Sequence, residues 1–525
     1  MKNFFLTLLC LIGFTAQAQQ TIQSENGEKW WGAMTAMGGR MPLSEPTGLV
    51  RLSSQNSNNQ SVPFLVSNYG RYIYSNHAFD FEWDGKSFIF TNTYDTIKVQ
   101  KVGKTLRDAF VVASSRHFKP TGIMPEKEFF THPQYNTWIE LVYNQNQADI
   151  ERYADGILSS GLPAGILMVD DNWQRYYGNF DFKAERFSDA KGMVDRLHQK
   201  GFKVMLWVCP FVSADSPEFR FAAKKGYLIK AKGSAEPAIV HWWNGYSGLY
   251  DLTNPEAAAY LKGQLAATQQ KYGVDGFKFD AGDLTFYTPK TQDYFDKTAT
   301  AATHSQSWAK LGLEFPYNEY RACWAMQGYP LVQRLGDKDY SWGALGSLIP
   351  EMINAGMMGY PFTCPDMVGG GQFASFENID PTKFDQNLIV RSAQVHALMP
   401  MMQFSVAPWR ILDKEHMSYC LDAVNLRQKL TPYILELAAQ AAKTGEPIVR
   451  PMEYVFPHKG FSDCKDQFML GGRYLVAPVL TADGKRMVRL PKGRWVDDLG
   501  KSYRGPILLE INAPTGRLPY FEFKK

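Results

Sequence analysis

The sequence predicts an α/β protein: a (β/α)8 TIM barrel flanked by an N-terminal β-sandwich and a small C-terminal β domain. Three observations predict it. From about residue 134, short apolar runs that end in acid alternate with helical segments, the order that parallel βαβ units impose. On either side of that stretch the pattern changes to short β-prone runs broken by turns, which suits antiparallel sheet. And 525 residues are too many for a single core, so several domains are expected.

Residues 1–18 read as a secretory signal, with Lys2 as the positive end, residues 4–14 as the apolar segment, and Ala16, Gln17 and Ala18 as the cleavage site. Export to a periplasmic or extracellular location is therefore expected. The apolar segment is too short to span a bilayer, and no later run reaches about 18 apolar residues, so no membrane insertion is expected. The five remaining cysteines, Cys209, Cys323, Cys364, Cys420 and Cys464, are odd in number and scattered, unlike a disulfide framework. Nine histidines without a His-x-x-x-His pair give no metal spacing, and no cofactor is expected. A net charge of +4 with no long basic run excludes nucleic acid as the evident partner. Aromatic content of 14%, with 13 Trp and 27 Tyr, is rich. Aromatic faces stack on sugars, although filling a core is their commoner use.

Residues 20–133 are assigned to the sandwich. The β-prone run 63–75 carries a turn at 68–70, and runs 79–83 and 88–90 flank the Asp84, Gly85 turn. Residues 53–59 are a polar loop. Residues 134–445 are assigned to the barrel, with eight strand candidates at 137–142, 165–170, 203–208, 276–280, 315–318, 331–335, 360–364 and 398–404. Helices are predicted at 147–160 and 189–200. A third runs from Pro255, with Asn254 as its cap, and closes on Gly273. The stretch 209–253 is long for a βα connection and is expected to be functional; Trp242 and Trp243 lie in it. Residues 446–525, with runs at 474–479, 486–490 and 507–512, are assigned to the C-terminal β domain.

The chemistry centres on residues 274–283, a buried strand that ends on Asp280 and runs into a glycine-containing turn. Asp275, Asp280 and Asp283 fall within this run with Lys278 between them, a costly grouping unless chemistry uses it. In a βα barrel, strand C-termini line the active site. Asp170, Asp171, Asp280, Asp283, Asp337 and Asp366 would then face one mouth. Glycosidic cleavage needs two such carboxyls, one to attack the anomeric carbon and one to protonate the leaving oxygen. Any single Asp is as readily a cap or turn residue; the ordered set is not. Lys278, two residues before Asp280, points to the same side of the strand, where a cation would hold a nucleophile ionised.

These residues carry a resemblance. The chain resembles glycoside hydrolase family 31, the retaining α-glycosidases, over nearly all of its length after residue 18. The run 63–75 resembles the family's N-terminal sandwich signature, and Asp251, Leu252, Thr253, Asn254 and Pro255 resemble its Asp-Phe-Thr-Asn-Pro segment. Arg321, then Gly336, Asp337 and Trp342, resemble its Arg…Gly-Asp…Trp segment, and 361–369 resembles Pro-Phe-x-x-x-Asp-x-x-Gly. The resemblance implies Asp280 as nucleophile and Asp337 as acid/base, the latter with a raised pKa from burial or a nearby negative charge. It implies sugar contacts from Asp170, Arg321, Asp366 and Trp243. Asp171, Trp207, Cys209 and Lys278 join the substrate-binding candidates.

Three positions depart from the common α-glucosidase pattern: Asp283 in place of Glu, Cys209 in place of Asp, and Ser405 in place of His. A site built for one hydroxyl pattern rejects another, so plain glucose is disfavoured. Residues 277–283 look most like the α-galactosidase-type branch. The resulting expectation is an exo-acting retaining α-glycosidase, an α-galactosidase first, with an oligosaccharide or glycoside as partner. The alternatives are an α-glucosidase or α-xylosidase, a catalytically silent glycan-binding protein, and a metal-dependent barrel hydrolase.

Overall fold

The computed structural model describes residues 19–377 and 384–524, and the expected signal at 1–18 lies outside them. Eight parallel strands form the barrel: β1 (Gln134–Asn136), β2 (Ile166–Val169), β3 (Lys203–Val208), β4 (Gly276–Phe279), β5 (Tyr317–Tyr320), β6 (Val332–Arg334), β7 (Thr363–Cys364) and β8 (Gln403–Phe404). They hydrogen-bond in the order β7-β6-β5-β4-β3-β2-β1-β8. The ring closes where Met367 bridges Gln403 and the Val368 N–H donates to the Gln403 carbonyl at 2.8 Å.

Strands buried on both faces read as unbroken apolar runs, and β2 and β3 do so. Strand β4 begins at Gly276 as expected and β6 lies within 331–335, whereas the remaining four shift from their expected places. The first strand lies before 137–142, because the Asn136 side chain accepts from the Trp138 N–H at 2.8 Å and turns the chain into a short helix, Trp138–Leu141. Strands β7 and β8 keep only the last two residues of the runs 360–364 and 398–404. Strand β5 starts two residues later than expected. The helix Pro255–Tyr272 has the expected punctuation: Asn254 accepts from the Glu256 N–H, and Gly273 ends the helix at φ 77°.

Two antiparallel sheets precede the barrel. One joins Gln20–Gln23, Ser87–Thr91, Asp80–Trp83 and Gly48–Arg51; the other holds Trp30–Met34, Gln60–Ser67, Arg71–Tyr74 and Val99–Lys101. Trp30 meets Phe88 edge-on across the sheets, ring centroids 5.3 Å apart. The stretch is not β throughout, as expected from sequence, because it also contains the helix Leu106–His117. A reciprocal cap nucleates that helix: the Thr105 hydroxyl accepts from the Asp108 N–H, and the Asp108 carboxylate accepts from the Thr105 N–H. Cys323–Trp324, from the barrel's β5–β6 connection, pairs with Gln60 and Ser61.

The connection after β3 folds as a three-stranded sheet of Phe211–Ser213, Val240–Trp242 and Gly245–Leu249, with a helix, Pro217–Lys225. Its hairpin turn consists of Trp243 and Asn244. The C-terminal part is a six-stranded sheet whose long hairpin is Lys485–Asp497 and Ser502–Asn512. One apolar core runs through sandwich and barrel, and a second, around Trp495 and Phe521, belongs to the C-terminal sheet. All five cysteines at 209, 323, 364, 420 and 464 are buried and free.

Candidate functional site

Parallel register sets the site. Trp207 on β3, Lys278 on β4 and Glu319 on β5 stand level with one another, so their side chains share the barrel interior. Asp280 and Arg321 follow two residues after Lys278 and Glu319, one step nearer the mouth. Directly beyond Asp280 the backbone turns left-handed, at φ 58° for Ala281 and 79° for Gly282. A Cβ on Gly282 would lie 2.4 Å from Cδ1 of Trp308, whose indole N–H donates to the Asp280 carbonyl at 3.1 Å.

The Asp280 carboxylate is held from three sides. Oδ1 accepts from Arg321 Nε at 2.6 Å and from the Ala281 N–H at 2.7 Å, and Oδ2 accepts from Trp207 Nε1 at 2.7 Å. Burial alone would raise its pKa, but the Arg321 and Lys278 charges with the Arg321 and Trp207 hydrogen bonds outweigh it and hold Asp280 well below the ordinary value. Arg321 is committed to carboxylates and backbone rather than open to a sugar. Its Nη1 donates to Asp283 Oδ1 at 3.1 Å and to the Asn58 carbonyl at 3.0 Å, and its Nη2 to Asp283 Oδ2 at 2.5 Å. The guanidinium carbon stands 5.1 Å from the Trp243 ring centroid.

Asp337 follows β6. Its Oδ1 accepts from Arg334 Nη1 at 2.8 Å, and its side chain is 35% exposed. Of the burial or nearby negative charge expected around an acid/base, the burial is only partial, and a buried arginine stands beside the carboxylate. The same Nη1 reaches Asp366 Oδ1 at 2.8 Å. Asp366 Oδ2 accepts from the Lys338 and Gly371 N–H groups at 2.6 and 2.8 Å. Burial raises the Asp366 pKa, Arg334 opposes it, Asp337 adds to it, and the result is about 6.

On the opposite wall, Lys278 Nζ donates to Asp170 Oδ2 at 2.6 Å, both side chains being 4% exposed. Asp171 accepts at Oδ2 from Asn244 Nδ2 at 2.7 Å and from the Tyr177 hydroxyl at 3.3 Å. Its Oδ1 is buried without a partner. Burial and the neighbouring Asp170 charge push its pKa up to about 7.

These walls enclose a cavity of about 760 Å³ lined by Asp170, Asp171, Trp207, Trp243, Lys278, Asp280, Arg321 and Asp337 among others. Two of the expected sugar contacts, Cys209 and Asp366, are not on its surface: Cys209 is 2% exposed and Asp366 fully buried. Each sits one layer behind the wall, and both Asp366 oxygens are already bonded within the protein. Ser405 is likewise buried, its Oγ accepting from the Ile139 N–H at 2.8 Å. Sequence reasoning missed Arg334, which lies three residues before Asp337 inside a short strand. It also passed over Ser57, Asn58 and Asn59, which reach the cavity from the sandwich's polar loop. Among the described residues, no group of three or more His, Cys, Asp or Glu side chains is placed to hold a metal, and no helix is long and apolar enough to cross a membrane.

Comparison with known proteins adds to this geometry. Residues 130–437 match the model of the TIM-barrel domain of glycosyl hydrolases family 31, and residues 445–522 that of the family's C-terminal domain. The myogenesis-regulating glycosidase of Mus musculus is 34% identical over 75% of this chain and 55% of its own length. An alpha-xylosidase of Emericella nidulans is 26% identical over 85% and 59%. A Flavobacterium johnsoniae dextranase solved with glucose superposes with a TM-score of 0.83 at 22% identity, covering 96% of this chain and 66% of that one. The chain thus spans less than two thirds of the length of each of these two curated relatives.

Proposed function

Because the chain belongs to glycoside hydrolase family 31, we propose that it is an exo-acting retaining α-glycosidase. One observation carries the reading: Asp280 and Asp337 line one cavity, the first kept ionised by Arg321, Lys278 and Trp207. In this reading Asp280 attacks the anomeric carbon to form a covalent glycosyl-enzyme, and Asp337 protonates the leaving oxygen. Oδ2 of Asp280 is the attacking atom, since it accepts from Trp207 alone while Oδ1 serves both Arg321 and Ala281. Oδ1 of Asp337 faces Arg334, which leaves Oδ2 to carry the proton. Asp337 then deprotonates the water that releases the sugar with its configuration kept. Asp280→Ala should abolish turnover, and azide should partly restore it as a glycosyl azide; unchanged activity would refute the assignment.

For the sugar we take α-galactoside. Asp283 and Cys209 depart from the glucose-type pattern. The second reading is α-xyloside, which the name of the Emericella nidulans relative favours. Release of nitrophenol from matched α-galactoside, α-glucoside and α-xyloside separates them, and binding without release from any favours a silent glycan-binding protein. The reading includes export, for which the mature chain should begin at Gln19 by N-terminal sequencing.

A further inference from the structure

We infer that Asn244 is a positioning residue of this cavity: its side chain fastens the hairpin turn to the barrel and so fixes Trp243 at the mouth. The Asn244 amide makes three hydrogen bonds, to side chains in two of the barrel's connections. Nδ2 donates to Asp171 Oδ2 at 2.7 Å, just after β2, and to the Tyr177 hydroxyl at 2.7 Å. Oδ1 accepts from the Tyr143 hydroxyl at 2.8 Å, beyond β1. A hairpin tip ordinarily meets only solvent, and this one is otherwise exposed: Trp243 is 46% and Tyr246 67% exposed.

Apolar packing does not explain why Trp243 stays where it is. Its ring touches Trp242 edge-on at 5.0 Å and Phe286 at 6.0 Å, with the Arg321 guanidinium 5.1 Å away, and nearly half of it faces solvent. The adjacent residue is the one with directional bonds into the barrel. Asn244 therefore transmits the position of β2 to an aromatic face that a glycoside entering the cavity must pass.

The kinetic half of the test rests on the proposed glycosidase activity, and the spectroscopic half does not. Of the 13 tryptophans, Trp243 is the one that stands exposed, so Trp243→Phe identifies its share of acrylamide-quenchable fluorescence. In the full chain, Asn244→Ala should make that share more quenchable. It should also raise KM for a nitrophenyl α-glycoside about threefold to tenfold, the range for ordering one aromatic side chain, with kcat within about twofold. Asn244→Gln, which keeps the amide, should recover part of the change. Tyr177→Phe, which spares the Asn244–Asp171 bond, should move both readouts less and in the same direction. Unaltered quenching and KM in a folded Asn244→Ala would overturn the inference. If that variant does not fold, unaltered values in Tyr177→Phe would overturn it instead. Wild-type protein inactive on every glycoside would remove the proposed function while leaving the quenching result to decide the role of Asn244.

Discussion

At the scale of single residues, Trp207 and Asp171 do different electrostatic work on one cavity. The Trp207 indole donates to the Asp280 oxygen proposed to attack. A hydrogen bond to a charged group contributes about 1.5–3 kcal/mol, so Trp207→Phe should lower kcat/KM roughly tenfold to a hundredfold. A fall below about twofold in steady-state assays would mean that Arg321, Lys278 and the Ala281 N–H hold the nucleophile without Trp207. Asp171 is the opposite case. Its folded value of about 7 lies above an unfolded value of about 3.9, so the folded chain binds its proton more tightly than the unfolded chain does. Stability from this residue is therefore complete below about pH 4 and is lost as pH rises through about 7. Asp171→Asn removes that slope. In urea titrations between pH 4.5 and 8, the variant should gain on the wild type as pH rises. Parallel curves would show that Asp171 titrates normally. Asp366, raised to about 6, is present in both proteins and cancels in the comparison.

At the scale of elements, legibility follows the length of the buried run. Strands β2 and β3, with runs of four and five apolar residues, are plain in the sequence, and so is the helix whose cap is Asn254. Strands β7 and β8 have two residues each and no period to read, so only the surrounding runs could be marked. The acids were legible because each ends an apolar run. Arg334 was not, because a charge inside a short strand is visible only when its three carboxylate neighbours, Asp337, Asp366 and Glu319, are brought around it by the fold. The glycine loop at 369–371 has a role that composition does not reveal. Gly369 and Gly370 sit at φ 87° and 106°, and a Cβ on Gly371 would lie 2.6 Å from Asp337 Oδ1 and 2.8 Å from Asp366 Oδ1. The loop closes over the proposed acid/base with no room for a methyl. Gly371→Ala should therefore push the Asp337 carboxylate aside and lower kcat at least about tenfold, as small displacements of reacting groups do. Its circular dichroism should match the wild type, and full activity would show that the loop yields freely.

At the scale of the whole molecule, the cavity belongs to two layers of the fold. The sandwich loop places the Asn58 carbonyl on Arg321 Nη1 at 3.0 Å and Asn59 Nδ2 on the Arg334 carbonyl at 3.3 Å. Gln60 Nε2 donates to the Arg321 carbonyl at 2.8 Å, and the same strand takes Cys323–Trp324 as its neighbour. Both arginines that hold the proposed catalytic carboxylates are thus braced from outside the barrel. Farther back, Asn354 on a barrel helix donates to the Gly32 and Met34 carbonyls and accepts from the Gly32 N–H. Such bonds between buried groups matter mainly through what their loss leaves unpaired, about 1–3 kcal/mol for one group. Gln60 touches no part of the cavity surface, yet Gln60→Ala strips the Arg321 carbonyl of its partner. If the sandwich braces the site, this variant should lose about 1–3 kcal/mol of stability in denaturant titrations. It should also lose kcat/KM on the best glycoside by more than a matched core variant such as Val62→Ala, which lies two residues away and fully buried. Equal losses of activity in the two would reduce the sandwich to a support for the barrel's stability, with no part in setting Arg321.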